Sequence, residues 1–320
     1  MFAKSFKGGV HPDDQKLHTR NIKIKNLPVP ERIVLPVSQH IGAPNNLTVK
    51  KGDYVKMGQC IAETDAFVSA RVHSPVSGEI ADISYAISAA GVKVPAVIIK
   101  NDGLDTLSED IQPCPNVDSL SADDIKNAVR QAGIVGMGGA SFPTHVKLSP
   151  SPDKKVDCCI VNGAECEPYL TSDYRVLIET PEKVIFGLKM IMKALGVNKG
   201  YIAIEDNKKD AYQVIGSCIG DGEGIQAVLM RTKYPQGSEK HLIKAVTGHT
   251  VPSGGLPMDV GVVVNNVDTC VAVGNAVQTG MPLISRIVTV SGKAFAYAGN
   301  YRVRIGTPIK YIIDEVGGFS

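Results

Sequence analysis

Apolar positions in the second half of the chain alternate between two spacings. SADDIKNAVRQAG places them at helical intervals, with Ser121 as N-cap, acids in the first turn and Gly133 as the stop. TPEKVIFGLKMIMKALG repeats the arrangement, with Thr180 as N-cap, Pro181 at the first helical position and Gly196 at the end. KVDCCIVNG, GYIAIED, IQAVLMRT and VGVVVNN are short apolar runs and read as strands. KKDAYQVIGSCIG, GSEKHLIKAVTG and VDTCVAVGNAVQTG read as further helices. The alternation predicts a mixed α/β domain over residues 105–280. Residues 31–104 instead show short β-branched runs cut by Gly, Pro and Asn, which predicts an all-β unit. Residues 1–30 are polar, proline-punctuated and aperiodic, and read as an arm. Residues 281–320 return to strands and end in RVRIGTPIKYIIDEVGG, a strand and then a helix capped by Thr307-Pro308.

Composition narrows the function classes. Among 320 residues, 43% are hydrophobic and 21% charged, with a net charge of +2, so a general polyanion-binding role is excluded and no nucleic-acid partner is expected. No apolar run reaches the roughly 18–20 residues of a membrane span, and the first residues lack the apolar core of a signal peptide. The expectation is a protein on the cytoplasmic side that meets a membrane only through partners. The seven cysteines form no C-x-x-C pair, and Cys158 and Cys159 are adjacent, which suits neither zinc nor a ferredoxin-type cluster. They read as buried or idle thiols, and the seven histidines as surface or loop residues.

The densest chemistry lies in GIVGMGGASFPTHVKL, residues 133–148. It is not a dinucleotide fingerprint, because a helix precedes it and Ser141 stands where the third glycine belongs. It is not a P-loop, because no lysine follows Gly138 or Gly139. A bare backbone lets a flat ring or a phosphate approach the amides, and Lys147 adds a point charge. Planar ring, polar chain and one phosphate together describe FMN.

Several stretches resemble known families. VKKGDYVKMGQCIAE followed by RVHSPVSGEIADIS resembles the biotinyl/lipoyl-type barrel-sandwich hybrid. Its hairpin segment TDAFVSAR has no lysine for a covalent arm, so a structural or docking role is expected. The C-terminal strand and helix resemble the first half of a β-grasp module. The second half does not follow, which reads as a fragment of a longer protein. GIVGMGGASFPTHVKL, VNGAECEPYLTSDYRVL, YPQGSEKHLI and VVVNNVDTC resemble, in order, four motifs of the flavin-bearing, NADH-oxidising subunit of respiratory complex I. FKGGVHPDDQK, FPTHVKL, NGAECEPYL and VPSGGLPMDVGVVVNNV are similar to the RnfC family, the corresponding component of Rnf ferredoxin:NAD electron-transport complexes.

That resemblance implies an FMN site and NADH as substrate. It puts Gly136, Gly138 and Gly139 against the flavin and Lys147 at its ribityl or phosphate oxygens. Asn162 would meet the ring edge, and Glu165 and Glu167, one or both facing the cleft, would bind the nicotinamide ribose and tune the flavin. Asn265, Asn266 and Thr269 would place backbone amides and a helix N-terminus at the FMN phosphate. Phe142 would stack near the adenine or nicotinamide, or else serve as a core side chain. Glu239 matches one acid of the relatives' pair, with Ser238 replacing the other, and Ala164 stands where they often carry aspartate. No catalytic side chain and no metal site is implied; 4Fe-4S clusters belong to motifs outside this segment. The implied partners are the other subunits of a membrane complex and, indirectly, ferredoxin. The substitutions at 164 and 238 leave open a scaffold role with a non-catalytic flavin pocket, and a soluble cobalamin-reductase-like flavoprotein is a third reading.

Overall fold

An extended arm begins the chain, and it is stitched to two distant parts of the molecule. A computed structural model describes residues 3–88 and 91–319. The backbone amide of Lys4 donates to the Leu229 carbonyl and that of Val10 to Tyr234, both at 2.8 Å. The arm then forms strand β1 (Lys25–Asn26), which joins the C-terminal sheet described below.

The all-β unit holds two sheets. Strands β2 (Arg32–Pro36), β4 (Tyr54–Val55), β7 (Gly78–Ile87) and β8 (Lys93–Asn101) make one. Strands β3 (Asn46–Leu47), β5 (Cys60–Glu63) and β6 (Val72–His73) make the other. The orders are β2-β8-β7-β4 and β3-β5-β6, with antiparallel pairing throughout. Ile33, Leu35, Ile61, Ile80 and Ile99 fill the space between them. This is the barrel-sandwich arrangement the turn spacing predicts. The lysine-free tip between β5 and β6 packs on the next domain: the Phe67 carbonyl lies 2.9 Å from His145 Nε2, and the Arg130 guanidinium donates to the Asp65 carbonyl. His145 and His73 are therefore buried, not surface residues; burial lowers the pKa of both, to about 4 for His73.

The central domain runs α1 (Ala122–Gln131), α2 (Thr144–Lys147), β9 (Cys158–Gly163), α3 (Ser172–Glu179), α4 (Pro181–Leu195), β10 (Gly200–Glu205), α5 (Lys209–Cys218), β11 (Ile225–Met230), α6 (Glu239–Thr247), β12 (Val262–Asn266) and α7 (Val267–Thr279). Its four strands are parallel in the order β11-β10-β9-β12. Alternate residues of β9 serve opposite faces. Cys159 and Val161 join the core under α1, α3, α4, α5 and α7, while Cys158 and Ile160 join the smaller core under α6. The chain ends with β13 (Ser285–Val290), β14 (Gly299–Arg304) and α8 (Ile309–Glu315), in a sheet of order β1-β14-β13. Thr307 does not cap α8; Pro308 occupies the N-cap and no side chain bonds the first turn.

The periodicity misses α3, for a physical reason. Thr171 at its N-cap makes no side-chain cap bond. The orphan amides of Asp173 and Tyr174 are instead accepted by Oε1 of Glu165, at 2.8 and 3.4 Å. A cap supplied from outside the helix leaves no local signature.

Helices α4 and α7 touch backbone to backbone. A Cβ on Gly187 would lie 1.9 Å from the Cys270 carbonyl oxygen. Gly187→Ala should therefore cost about 1–3 kcal/mol or more. Gly216→Ala, on α5 with nothing within 4 Å of the added carbon, should gain about 0.5–1 kcal/mol. Urea unfolding of both variants checks the pair; equal midpoints would contradict the α4–α7 packing.

Candidate functional site

From β9 the chain crosses to β10 and β11 on one side, then returns to β12 on the other. Connections diverge at the carboxyl ends of β9 and β12, and open α/β sheets bind ligands at such a point. Asn162 ends β9 and stands in register with Asn266 of β12. Above them opens a cavity of about 880 Å³, within the usual range for cofactor sites. Gly136, Gly138, Gly139, Phe142, Lys147, Asn162, Glu165, Glu167, Glu239, Asn265 and Asn266 all line it; Thr269 does not.

The glycine loop forms one wall. Its base is closed by bonds from the Gly136 amide to the Phe142 carbonyl and from Thr144 to Ile134, both 2.9 Å. The Met137 amide donates to Oγ1 of Thr269 at 3.0 Å, and the Arg286 guanidinium donates to the Met137 carbonyl. Thr269, fully buried, thus anchors the loop and is not placed to meet a ligand. A Cβ on Gly138 would lie 3.0 Å from the Asn266 side chain, while one on Gly139 would meet nothing within 4 Å. Gly136, Gly138 and Gly139 do not have positive φ; in the loop tip Ser141 does, at 53°. These glycines keep the wall bare rather than turn it.

The floor differs from the expectation in two respects. Asn162 spends its amide on the fold: Nδ2 donates to the Gly237 carbonyl at 2.7 Å and Oδ1 accepts from the Ala164 amide at 3.2 Å. The N-terminus of α7 is not a free anion site either. Oδ1 of Asn266 takes the amides of Asp268 and Thr269, and its Nδ2 donates to Asp173 at 2.7 Å. Asn265 is the open donor: it is buried, and its Nδ2 has no partner. Lys147 Nζ donates to the Val264 carbonyl and lies 3.5 Å from Glu239 Oε1. Ala164 is fully buried and does not line the cavity.

The opposite wall is acidic and carries groups the sequence patterns do not reveal. Glu165 adopts φ 49° and is almost fully buried. Its Oε2 lies 3.7 Å from Nζ of Lys16, a residue of the arm. Burial pushes the Glu165 carboxyl up and the Lys16 ammonium down, each opposed by the other's charge. Lys208 reinforces the loop, donating to the Ala164 carbonyl at 2.7 Å and pairing with Glu205 at 3.3 Å. Glu167 is exposed beside Tyr234, whose phenol pKa its charge raises. Asp173, Asp268, Arg286 and Cys166 also line the cavity. Burial, with Glu165 and Asp268 adding like charge, holds the Asp173 carboxyl well above the usual range. Arg286 sits on β13, outside every motif of the glycine loop and strand ends, and only the third sheet's position brings it here.

Fold and cavity define a class, and comparison with known proteins places the chain in it. Residues 129–275 match the Nuo51 FMN-binding domain, residues 4–104 the RnfC barrel sandwich hybrid domain, and residues 287–320 the SLBB domain. The chain is 52% identical over 317 residues to the RnfC-type component of the proton-translocating ferredoxin:NAD(+) oxidoreductase complex of Clostridium ljungdahlii, covering 99% of this chain and 69% of that one. It is 48% identical to the Na(+)-translocating counterpart of Acetobacterium woodii, covering 99% and 71%. A solved NAD+-reducing NiFe hydrogenase chain superposes with a TM-score of 0.56 at 25% identity, over 63% of this chain and 40% of that one. The class is thus an FMN-binding-type α/β domain behind a barrel-sandwich hybrid. The chain belongs to the RnfC family, whose members are components of ion-translocating ferredoxin:NAD(+) oxidoreductase complexes. Among the described residues no helix is long and apolar enough to cross a membrane.

The acidic wall makes a pH prediction. The folded pKa of Asp173 lies above its unfolded value of about 3.9. Its contribution to stability is fully present below that pH and is lost as pH rises through the folded pKa. Asp173→Asn removes this loss, so its urea midpoint should exceed that of the parent chain at pH 8, with the gap closing toward pH 4. A gap that is constant with pH would contradict the placement of the carboxyl.

Proposed function

We propose that this chain is the FMN-carrying, NADH-oxidising part of an Rnf-type electron-transport complex. The observation that carries the reading is the cavity at the β9–β12 divergence, with a bare glycine wall on one side and the buried, unpartnered Nδ2 of Asn265 in its floor. A buried donor without an acceptor costs free energy unless a ligand completes it. The residues present fit FMN in kind: open space at Gly139 for a flat ring, a donor at Asn265, and the cations Lys147 and Arg286 for a phosphate.

Hydride acceptance from a dihydronicotinamide and release of electrons one at a time are the chemistry a bound FMN supplies. The chain's own residues bind, orient and exclude water. The Gly136–Ala140 segment lies along the ring face. Asn265 donates to the polar edge. Lys147, held between the Val264 carbonyl and Glu239, sets a positive charge at the strand ends. Glu167, exposed at the rim beside Tyr234, accepts from the nicotinamide ribose, and Phe142 flanks the dinucleotide. No side chain has to move a proton in the hydride step.

Electrons pass to iron–sulfur centres outside residues 1–320 and so to or from ferredoxin. The chain works with the other subunits of the complex, peripherally on the cytoplasmic face of the membrane. The scaffold reading loses one of its two motives, because Ala164 lies behind the cavity wall.

Reconstitution with FMN followed by anaerobic NADH titration tests the reading. The chain should bind FMN noncovalently and in preference to FAD, and NADH should bleach it. Glu167→Gln should keep FMN but need about ten- to a hundredfold more NADH, the equivalent of one hydrogen bond to a charged group. Lys147→Ala should weaken FMN instead. Bleaching of Glu167→Gln at parental NADH concentrations would overturn the assignment of the acidic rim.

A further inference from the structure

The N-terminal arm delivers a buried ammonium to the back of the cofactor cavity. Lys16 is 4% exposed. Its Nζ donates to the carbonyls of Glu165 and Glu167, both at 2.9 Å, and to that of Leu170. It also faces the Glu165 carboxylate at 3.7 Å. The arm is locked in place around it: Gln15 turns at φ 51°, and the Tyr169 amide donates to the Asp14 carbonyl at 2.8 Å. Three carbonyls of one six-residue loop thus converge on a single cation borne about 150 residues away in sequence.

The loop so held is the acidic wall. Glu167 and Leu170 line the cavity. Glu165 continues the connection inward, because its Oε1 caps α3 at Asp173. Asp173 in turn accepts from Asn266, and the Asn266 side chain is what Gly138 packs against. One unbroken series of contacts therefore joins the arm to both walls. A buried cation is costly unless fully paired, and removing one member of a buried pair costs more than replacing both.

We propose that Lys16 is a positioning residue of the dinucleotide side of the cavity, holding the Glu165–Leu170 loop in the shape that presents Glu167 to a bound nicotinamide ribose. The inference rests on the proposed function for its ligand, and on the Lys16 contacts alone for the holding of the loop.

The test uses the whole chain and the variants Lys16→Met, Glu167→Gln and their combination. In the FMN-loaded protein, Lys16→Met should leave the FMN dissociation constant within about threefold while raising the NADH needed for half-bleaching about tenfold or more. Adding Glu167→Gln to Lys16→Met should then cost much less than it costs alone, because the two act through one contact. Multiplying effects, or equal weakening of FMN and NADH, would overturn the proposal and leave Lys16 as an anchor of the fold. Should Lys16→Met fail to fold, Lys16→Met/Glu165→Gln restores charge balance and is measured the same way. Hydrogen exchange of amides 165–174 in the unliganded chain separates the two claims. Exchange accelerated about tenfold or more by Lys16→Met supports the holding of the loop even if FMN never binds, and unchanged exchange overturns it even if FMN does.

Discussion

Parallel strands that part company at their carboxyl ends leave a gap that their own backbones cannot fill, and the molecule is organised about that gap. β9 hands the chain one way and β12 receives it from the other, so Asn162 and Asn266 stand side by side with no strand connection above them. Something polar must cover the exposed ends. The glycine loop covers one side, tied down by Thr269 and Arg286. The Glu165–Leu170 loop covers the other, tied down by Lys16 and Lys208. Between them a cavity remains.

The outer modules follow from the same demand. A loop with several glycines has high conformational entropy and holds one shape only when its neighbours fix it. The barrel-sandwich hairpin tip supplies that support, with Phe67 against His145 and the Ile41 amide donating to Ser141. A tip that carries a prosthetic arm in lysine-bearing hybrids serves here as a buttress. The C-terminal sheet supplies Arg286 from β13, and the arm closes the third side. Arm, hybrid and C-terminal strands all reach the α/β domain close to the one cavity.

Much of this was legible locally. The capping box of Ser121 and Asp124, Pro181 at N1 of α4, and Gly196 in the left-handed conformation are signals contained within a few residues. So are the four strands, each an apolar run ending in a turn. Site residues grouped by motif also converge: the glycine loop, Asn162, Glu167, Glu239 and Asn265 line one cavity. Hidden features share one property, dependence on a partner far away in sequence. Helix α3 is capped by Glu165, which is itself paired with Lys16. Thr269 reads as a ligand contact because its motif sits at a helix start, yet its hydroxyl is already taken by Met137. His73 and His145 read as surface residues because a lone histidine carries no sign of the module that will cover it.

The central claim is one of place: a flavin mononucleotide belongs between the glycine loop and the acidic loop, over the ends of β9 and β12. A crystal of the chain grown with FMN tests it most directly. The account predicts ring density against Gly136–Ala140 with a polar ring or chain atom within hydrogen-bond distance of Asn265 Nδ2. Density for FMN in the separate groove lined by His18, Lys25 and Tyr297, with the β9–β12 cavity empty, would contradict it.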